Sequence, residues 1–255
     1  MRSYKTKAII IKQYEVGEAD RIVVAFSRDL GLITLSARGV RKTLAKLKGH
    51  LELYTYSNLI IHKSRGAIDI ITGAETIHSF KKLRGNLKNT SRIFLIFEFL
   101  NRILPEREEH QKIFDLLLFI LKELENKPNK KHRLILSSYF LLRALKELGY
   151  APHFRECIRC QSKLKKGGNY FDFNGAGTVC PSCSQEENVF NISDAKVSDY
   201  ALVGLRILNE NSSIELANIK ADIKIFEELA NLVQNYVEYV IESELKSKKF
   251  IKEID

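Results

Sequence analysis

No hydrophobic run in this sequence is long enough to cross a bilayer. The longest, Ile93–Phe97 and Leu116–Leu121, fall far short of the ~20 apolar residues that a spanning helix needs. At the amino terminus only Ala8–Ile11 stands between lysines, which gives no apolar core for a secretory leader. The expectation is a soluble, cytoplasmic protein with no membrane association. A phosphate-binding Gly-x4-Gly-Lys loop and a His-Glu-x2-His pair are both missing, as are internal repeats, low-complexity tracts and long linkers. No constellation of titratable residues suggests catalysis, so the expectation is a protein that is not an enzyme. Acid is scarce in one region only. Residues 1–92 hold 18 Lys/Arg against 7 Asp/Glu, and residues 93–255 hold 23 against 24. Lysines added for solubility would be spread evenly. A cation confined to one third of the chain points to a polyanionic partner, because phosphates exchange their counterions for lysine and arginine.

Cysteine is scarce too, and all 4 fall in two pairs. Cys157-Ile-Arg-Cys160 is followed, after 19 residues, by Cys180-Pro-Ser-Cys183. Two residues between cysteines let one turn aim both thiolates at a single point. Two such turns supply the four sulfurs of a closed tetrahedral zinc site. Turn formers at Lys166–Asn169 and Asn174–Gly177 suit a small β-hairpin knuckle held by metal rather than by a core. Disulfides would need an oxidising compartment, an iron–sulfur cluster is less usual at this spacing, and a redox motif needs one pair rather than two. With four thiolate ligands the Zn2+ has no open position, so its role is structural. His50-Leu-Glu52 with Cys180-x2-Cys183 superficially resembles a zinc deaminase signature, but the proline follows the cysteine and Cys157 and Cys160 would be idle.

Few prolines (4) leave the first third free to form strands. Five are expected: Tyr4 to about Gln13, Arg21–Phe26, Leu32–Ala37, about Leu51 to His62, and Ala67–Ile77, a spacing that suits a small barrel. Between the third and fourth lies a stretch with cations at Arg38, Arg41, Lys42, Lys46 and Lys48 and no acid. That layout is OB-fold-like, and its face and loops are where single strands would be gripped. Phe26, Tyr54 and Tyr56 are candidate stacking surfaces, though aromatics in strands more often serve the core. From Phe80 the apolar period becomes helical, with a second basic run at Lys81, Lys82, Arg84, Lys88 and Arg92. Helices are expected to Leu104, over Glu108–Glu125 and over Lys130–Leu148, with Gly149 as a left-handed cap. Beyond the cysteines, helix starts are expected at Ser193-Asp194 and Ser198-Asp199. Further helices are expected over Asp199–Asn209, Ser213–Ile219 and Ala221 to about Lys246, with a frayed end from Lys246. The whole reads as an α+β chain: residues 1–79 a five-stranded OB-fold-like basic domain, and 80–255 a helical domain with a zinc-binding insertion at 153–186.

Three segments in succession carry a resemblance: Glu18-Ala-Asp20-Arg21-Ile-Val, Asp29-Leu-Gly31-Leu-Ile, and Ala37-Arg38-Gly39-Val-Arg41-Lys42. Gly149-Tyr150-Ala151-Pro152, leading into Cys157-x2-Cys160, adds a fourth. In this order and spacing the chain resembles the RecO family of bacterial recombination mediators over nearly its whole length. The resemblance implies a non-enzymatic factor of DNA repair and homologous recombination, of the RecF pathway type. It implies binding of single- and double-stranded DNA and annealing of complementary strands. It also implies action with RecR, and assistance to RecA in replacing single-strand-binding protein (SSB), whose acidic tail docks on the family, all in the bacterial cytoplasm at the nucleoid. Arg21, Arg38, Arg41 and Lys42 fall on the family's basic barrel positions, and Lys46 and Lys48 continue the loop. Thr43-Leu44-Ala45 departs from the further arginines common there. The competing reading is a zinc-containing nucleic-acid-binding regulator of transcription or RNA, for which no DNA-reading helix–turn–helix is evident.

Overall fold

The computed structural model describes residues 3–42, 45–126, 129–185, 195–210 and 220–254. Five strands open the chain: β1 (Ser3–Val16), β2 (Asp20–Ser27), β3 (Gly31–Ala37), β4 (Tyr56–His62) and β5 (Asp69–His78). They close into a barrel in the order β1-β2-β3-β5-β4, the Greek-key arrangement of an OB-fold. One strand closes it at both ends. β1 pairs with β4 from Ser3 to Ile9 and with β2 from Ala8 to Val16, and a register shift between Ile10 and Lys12 interrupts the β1–β2 ladder. Period-2 alternation sends Ala8, Ile10, Val23, Ala25, Ile33, Leu35, Leu59, Ile61 and Ile71 inward. The β3–β5 seam is parallel and short, with Leu35 opposite Asp69 and Ser36 opposite Ile70.

The helices are α1 (Lys81–Arg84), α2 (Leu87–Ile103), α3 (Gln111–Asn126) and α4 (Lys130–Glu147), then α5 (Pro181–Gln185), α6 (Asp199–Glu210), α7 (Ile223–Val240) and α8 (Lys246–Ile254). Three further strands, β6 (Asn169–Asp172), β7 (Gly177–Val179) and β8 (Ala195–Val197), form a small sheet in the order β7-β6-β8. By packing, the chain divides into two compact units. One is Met1–Thr90 with Phe97–Glu125; the other is Ser91–Ile96 with Asn126–Asp255. In the first, α3 lies on the barrel, with the Phe114 ring 5.6 Å from Phe26 and 5.9 Å from Tyr56. The segment before α3 is pinned as well, since Arg107 N donates to Leu32 O at 2.8 Å. Gly31 (φ +67°) permits this approach, because a Cβ there would overlap the carbonyl oxygen of Glu108. In the second unit, α4 is buried almost all round from Arg133 to Leu145 and packs against α6 and α7. Gly149 ends it as expected, with φ +86° and Tyr150 N bonded to Leu145 O at 2.8 Å.

The structure departs from the expected elements at three places, the first being the helical run from Phe80 to Leu104, which is parted at Gly85 and Asn86 into α1 and α2. The fourth strand does not begin at Leu51. Lys48–Leu51 is a 3-10 turn, and Tyr54 holds φ +69°, a left-handed conformation that a strand cannot include; its ring is buried 5.7 Å from Phe97. The last expected helix is shorter than expected, and the end expected to fray is helical. The helix stops at Val240, Glu242 turns the chain at φ +51°, and Lys246–Ile254 forms α8 rather than fraying. Leu245 at its start and Ile251 within it are buried, the Phe250 ring lies 6.4 Å from Phe94, and Lys248 reaches Asn235 Oδ1 (2.6 Å) and Glu238. The expected start at Ser193-Asp194 and the helix over Ser213–Ile219 lie outside the described residues. Among the described residues no helix is long and apolar enough to cross a membrane.

Candidate nucleic-acid interface and metal site

The basic stretch after β3 begins on a fixed turn. Gly39 takes φ +65°, its N–H donates to Asp20 Oδ1 at 2.7 Å, and Arg41 N donates to Ala19 O at 2.9 Å. Val40 is buried against the barrel core. The turn is therefore bolted to the β1–β2 hairpin, which explains why Asp20 and Gly39 belong to one pattern in the sequence. Arg38 and Lys42 project from it into solvent without a hydrogen bond or ion pair among the described residues, and so do Lys46 and Lys48. Arg41 is engaged, at 2.9 Å from Gly17 O and 3.1 Å from Glu15. Arg21 is half-buried at the start of β2 and faces Glu52 at 3.6 Å.

The second basic run divides more sharply. Lys81 and Lys82 are exposed without a partner among the described residues, and Lys88 is exposed. Arg84 spends its guanidinium on the barrel, donating to Thr55 Oγ1 (2.7 Å), Ser79 O (3.0 Å) and Leu53 O (3.3 Å). Arg92 is only 4% exposed, so its head has no route to an external phosphate in this conformation. Phe26 is a core residue against Phe114 of α3 and Tyr54 one against Phe97 of α2, while Tyr56 is half-buried beside Phe114. The sequence reading passed over Lys5, Lys7, Lys63 and Arg65, which are exposed on β1 and in the β4–β5 connection. The two β1 lysines are single charges at alternate strand positions, a weaker signal than a cluster.

The cysteines come together. The ligand-capable sulfurs of Cys157, Cys160, Cys180 and Cys183 all lie within 4.8 Å of one another, and the Cys160 and Cys180 Sγ atoms are 3.8 Å apart. Each pair sits on a backbone turn. Gln161 N bonds Cys157 O at 2.9 Å across the first, with Gln161 at φ +60°; α5 carries the second. Cys180 N points at Cys157 Sγ from 3.4 Å, and Ile158 N bonds Thr178 O at 3.1 Å, so β7 delivers the second pair to the first. Gly175 and Gly177 leave the room that Ile158 fills.

The sulfur electrostatics fit a cation at the centre. The Ser162 hydroxyl and its backbone N–H draw the Cys160 thiol down to about 6. Burial works against ionising Cys157, but the backbone N–H groups of 160, 180 and 159 outweigh it and hold the thiol below its ordinary value. The hydrogen bond to Cys160 pushes Cys183 up to about 12. Crowded sulfurs share protons because adjacent thiolates repel, and only a central positive charge lets all four ionise together.

The sulfur site is fastened to helices by aromatics. Phe171 of β6 meets Phe154, Phe173 and Tyr236 of α7 at 5.7, 5.2 and 5.4 Å between ring centroids. Tyr236 Oη donates to Tyr150 O at 3.0 Å, and Tyr239 Oη to Asn174 Oδ1 at 2.9 Å. Arg206 of α6 donates to Phe154 O at 2.7 Å.

Residues 1–80 match the family described as recombination protein O, N terminal, and residues 84–249 match recombination protein O, C terminal. The chain belongs to the RecO family. Among its curated relatives, the DNA repair protein RecO of Dehalococcoides mccartyi is 36% identical over 244 residues, covering 96% of this chain and 93% of the relative. That of Roseiflexus sp. is 29% identical over 257 residues, covering 99% and 86%; that of Acetivibrio thermocellus is 26% identical over 258 residues, covering 100% and 98%. The chain is thus a member of a DNA repair and recombination family. The boundary between the two matched segments falls at α1, where the RecO-family barrel ends and the helices begin.

Proposed function

We propose that this chain is a non-enzymatic recombination mediator. It binds single- and double-stranded DNA, anneals complementary strands, and with RecR helps RecA to load on DNA coated with SSB, whose acidic tail it engages. The working domains are 1–79 for DNA and 80–255 for partners, with the sulfur knuckle at 153–186. One observation carries the reading: cations without partners among the described residues stand on an anchored turn of an OB-fold barrel in a RecO-family chain. Arg38, Lys42, Lys46, Lys48, Lys81 and Lys82 are free to meet phosphates, with Arg41 at the centre of the first group and Arg21 behind it. Neutralising two backbones on one face removes the repulsion that keeps complementary strands apart, so annealing needs no nucleotide hydrolysis. The protein acts in the cytoplasm, where the DNA is.

The metal of the four cysteines is Zn2+ in this reading. Thiolates at the ~2.3 Å zinc bond length stand about 3.8 Å apart on a regular tetrahedron, which matches the Cys160–Cys180 separation of 3.8 Å. With four sulfurs it supplies structure rather than chemistry, holding together the two turns behind the Phe154–Phe171 cluster that meets α6 and α7. Fluorescence anisotropy with single- and double-stranded oligonucleotides of equal length tests the DNA-binding half. Both should bind at 50 mM salt and weaken steeply by 200 mM. Binding to neither would remove DNA as the partner of the cationic third.

A further inference from the structure

Tyr14 lies near the end of β1 and keeps 45% of its surface in water, and Val16 beyond it keeps 46%. Its register partners run across the barrel: Tyr14 stands opposite Ile22, Ile22 opposite Ser36, and Ser36 opposite Ile70. Val23, Leu35 and Ile71, their neighbours in sequence, point into the core, so by alternation this row faces outward. The row is apolar or small from Ile22 to Ile70, giving a flat floor beside one raised ring. Cations surround it. Lys12 sets its ammonium 4.7 Å from the centre of the Tyr14 ring, Arg38 follows β3, and Lys63 and Arg65 lie in the connection that leads into β5. Glu15 is occupied by Arg41 and Asp20 by Gly39 N; the exposed acids beside the row are Glu18 at the hairpin tip and Glu106, which accepts from Thr34 Oγ1 two residues along β3 from Ser36.

From this arrangement we propose that Tyr14 is a base-stacking platform, and that the uncovered end of the outer face of β1, β2 and β3, along the Tyr14–Ile22–Ser36 row and away from α3, takes single-stranded DNA in particular. The inference rests on the DNA-binding reading above and adds to it the strand form and the contact. The phenol ring beside the apolar floor offers an unpaired base the π-face that the Lys12 ammonium does not cover, while flanking cations hold the phosphates on either side. A base inside a duplex has its faces covered by its neighbours, so this contact is closed to double strands.

The test compares wild type, Tyr14→Ala and Tyr14→Phe on three oligonucleotides of equal length: single-stranded, duplex, and a single strand of abasic sites with the same phosphates. Thermal unfolding first shows that each variant is folded. Tyr14→Ala should lose about 5- to 150-fold in affinity for the ordinary single strand, the range of a lost base stack. Its affinity for the duplex and the abasic strand, and its salt slope, should stay within about two-fold of wild type. Tyr14→Phe should bind like wild type. Equal losses on all three ligands would mean a structural role and overturn the platform, as would no loss on any. A wild type that binds no DNA would instead remove the reading on which the platform stands.

Discussion

Replacing Arg38 and Lys42 with alanine should change how DNA binding responds to salt more than how tightly DNA binds at low salt. Both side chains are exposed and unpartnered among the described residues, so their removal exposes no buried partner and leaves the turn on its backbone anchors at Ala19 and Asp20. Each phosphate contact on a single strand contributes about 0.7 to the slope of log K against log salt. Two lost contacts therefore flatten the slope by about 1.4. Between 50 and 200 mM, a four-fold change, wild type should lose about seven-fold more affinity than the double variant. Arg41→Ala should add less than a third such step, because Glu15 and Gly17 O already hold that guanidinium. Anisotropy with a labelled single strand at five salt concentrations gives the slopes. An unchanged slope in the double variant would refute the placement of phosphates on this turn and move them to Lys81 and Lys82.

Substituting Cys183 with serine should lower bound zinc, measured by atomic absorption, and reduce thermal stability; a wild type that is metal-free and equally stable would contradict a structural metal. Gly31→Ala should cost at least about 1 kcal/mol for the left-handed backbone alone, and more because the Glu108 carbonyl must give way. That is a fall in melting temperature of at least about 2–4 °C; an unchanged value would show that the segment before α3 is not packed on the barrel. Asp69 is buried, which raises its pKa. Arg107 (3.0 Å), Ser64 N–H and the Tyr4 hydroxyl (2.9 Å) overcome this and leave the carboxyl below its ordinary 3.8. A depressed folded value gives stability that is present above the unfolded pKa and lost as pH falls through the folded one. The stability difference between wild type and Asp69→Asn, measured by urea unfolding, should therefore be full above about pH 5 and shrink as pH drops below 3.8. A difference independent of pH would show that Asp69 is not ionised against Arg107.

The parts legible in the sequence were those written in local patterns. Short apolar, β-rich runs at regular spacing marked the barrel strands, as at Ala8–Ile11 and Ile22–Phe26, where both faces of the sheet are largely buried and no alternation is needed. Paired cysteines marked the sulfur site, because a tetrahedron fixes the spacing of its donors. The cluster from Arg38 to Lys48 marked its own loop. Features set by tertiary packing were not legible. Tyr54 looked like a strand residue until its left-handed backbone and its place on Phe97 were seen. Arg84 and Arg92 counted as cations like their neighbours, although one is spent on backbone carbonyls and a hydroxyl and the other is enclosed. The break at Glu242 has no proline or glycine to announce it, and α8 depends on Leu245 and Ile251 finding a core. Tyr14 was overlooked because sequence alternation gives two faces of a strand without saying which one meets solvent.

The most direct measurement is the annealing of complementary oligonucleotides, both coated with SSB, with this protein added and no nucleotide present. Annealing should accelerate, the acceleration should vanish as salt rises, and Arg38→Ala with Lys42→Ala should reduce it in step with the flattened binding slope. Tight DNA binding with no acceleration would contradict a recombination mediator and favour a nucleic-acid-binding regulator built on the same fold.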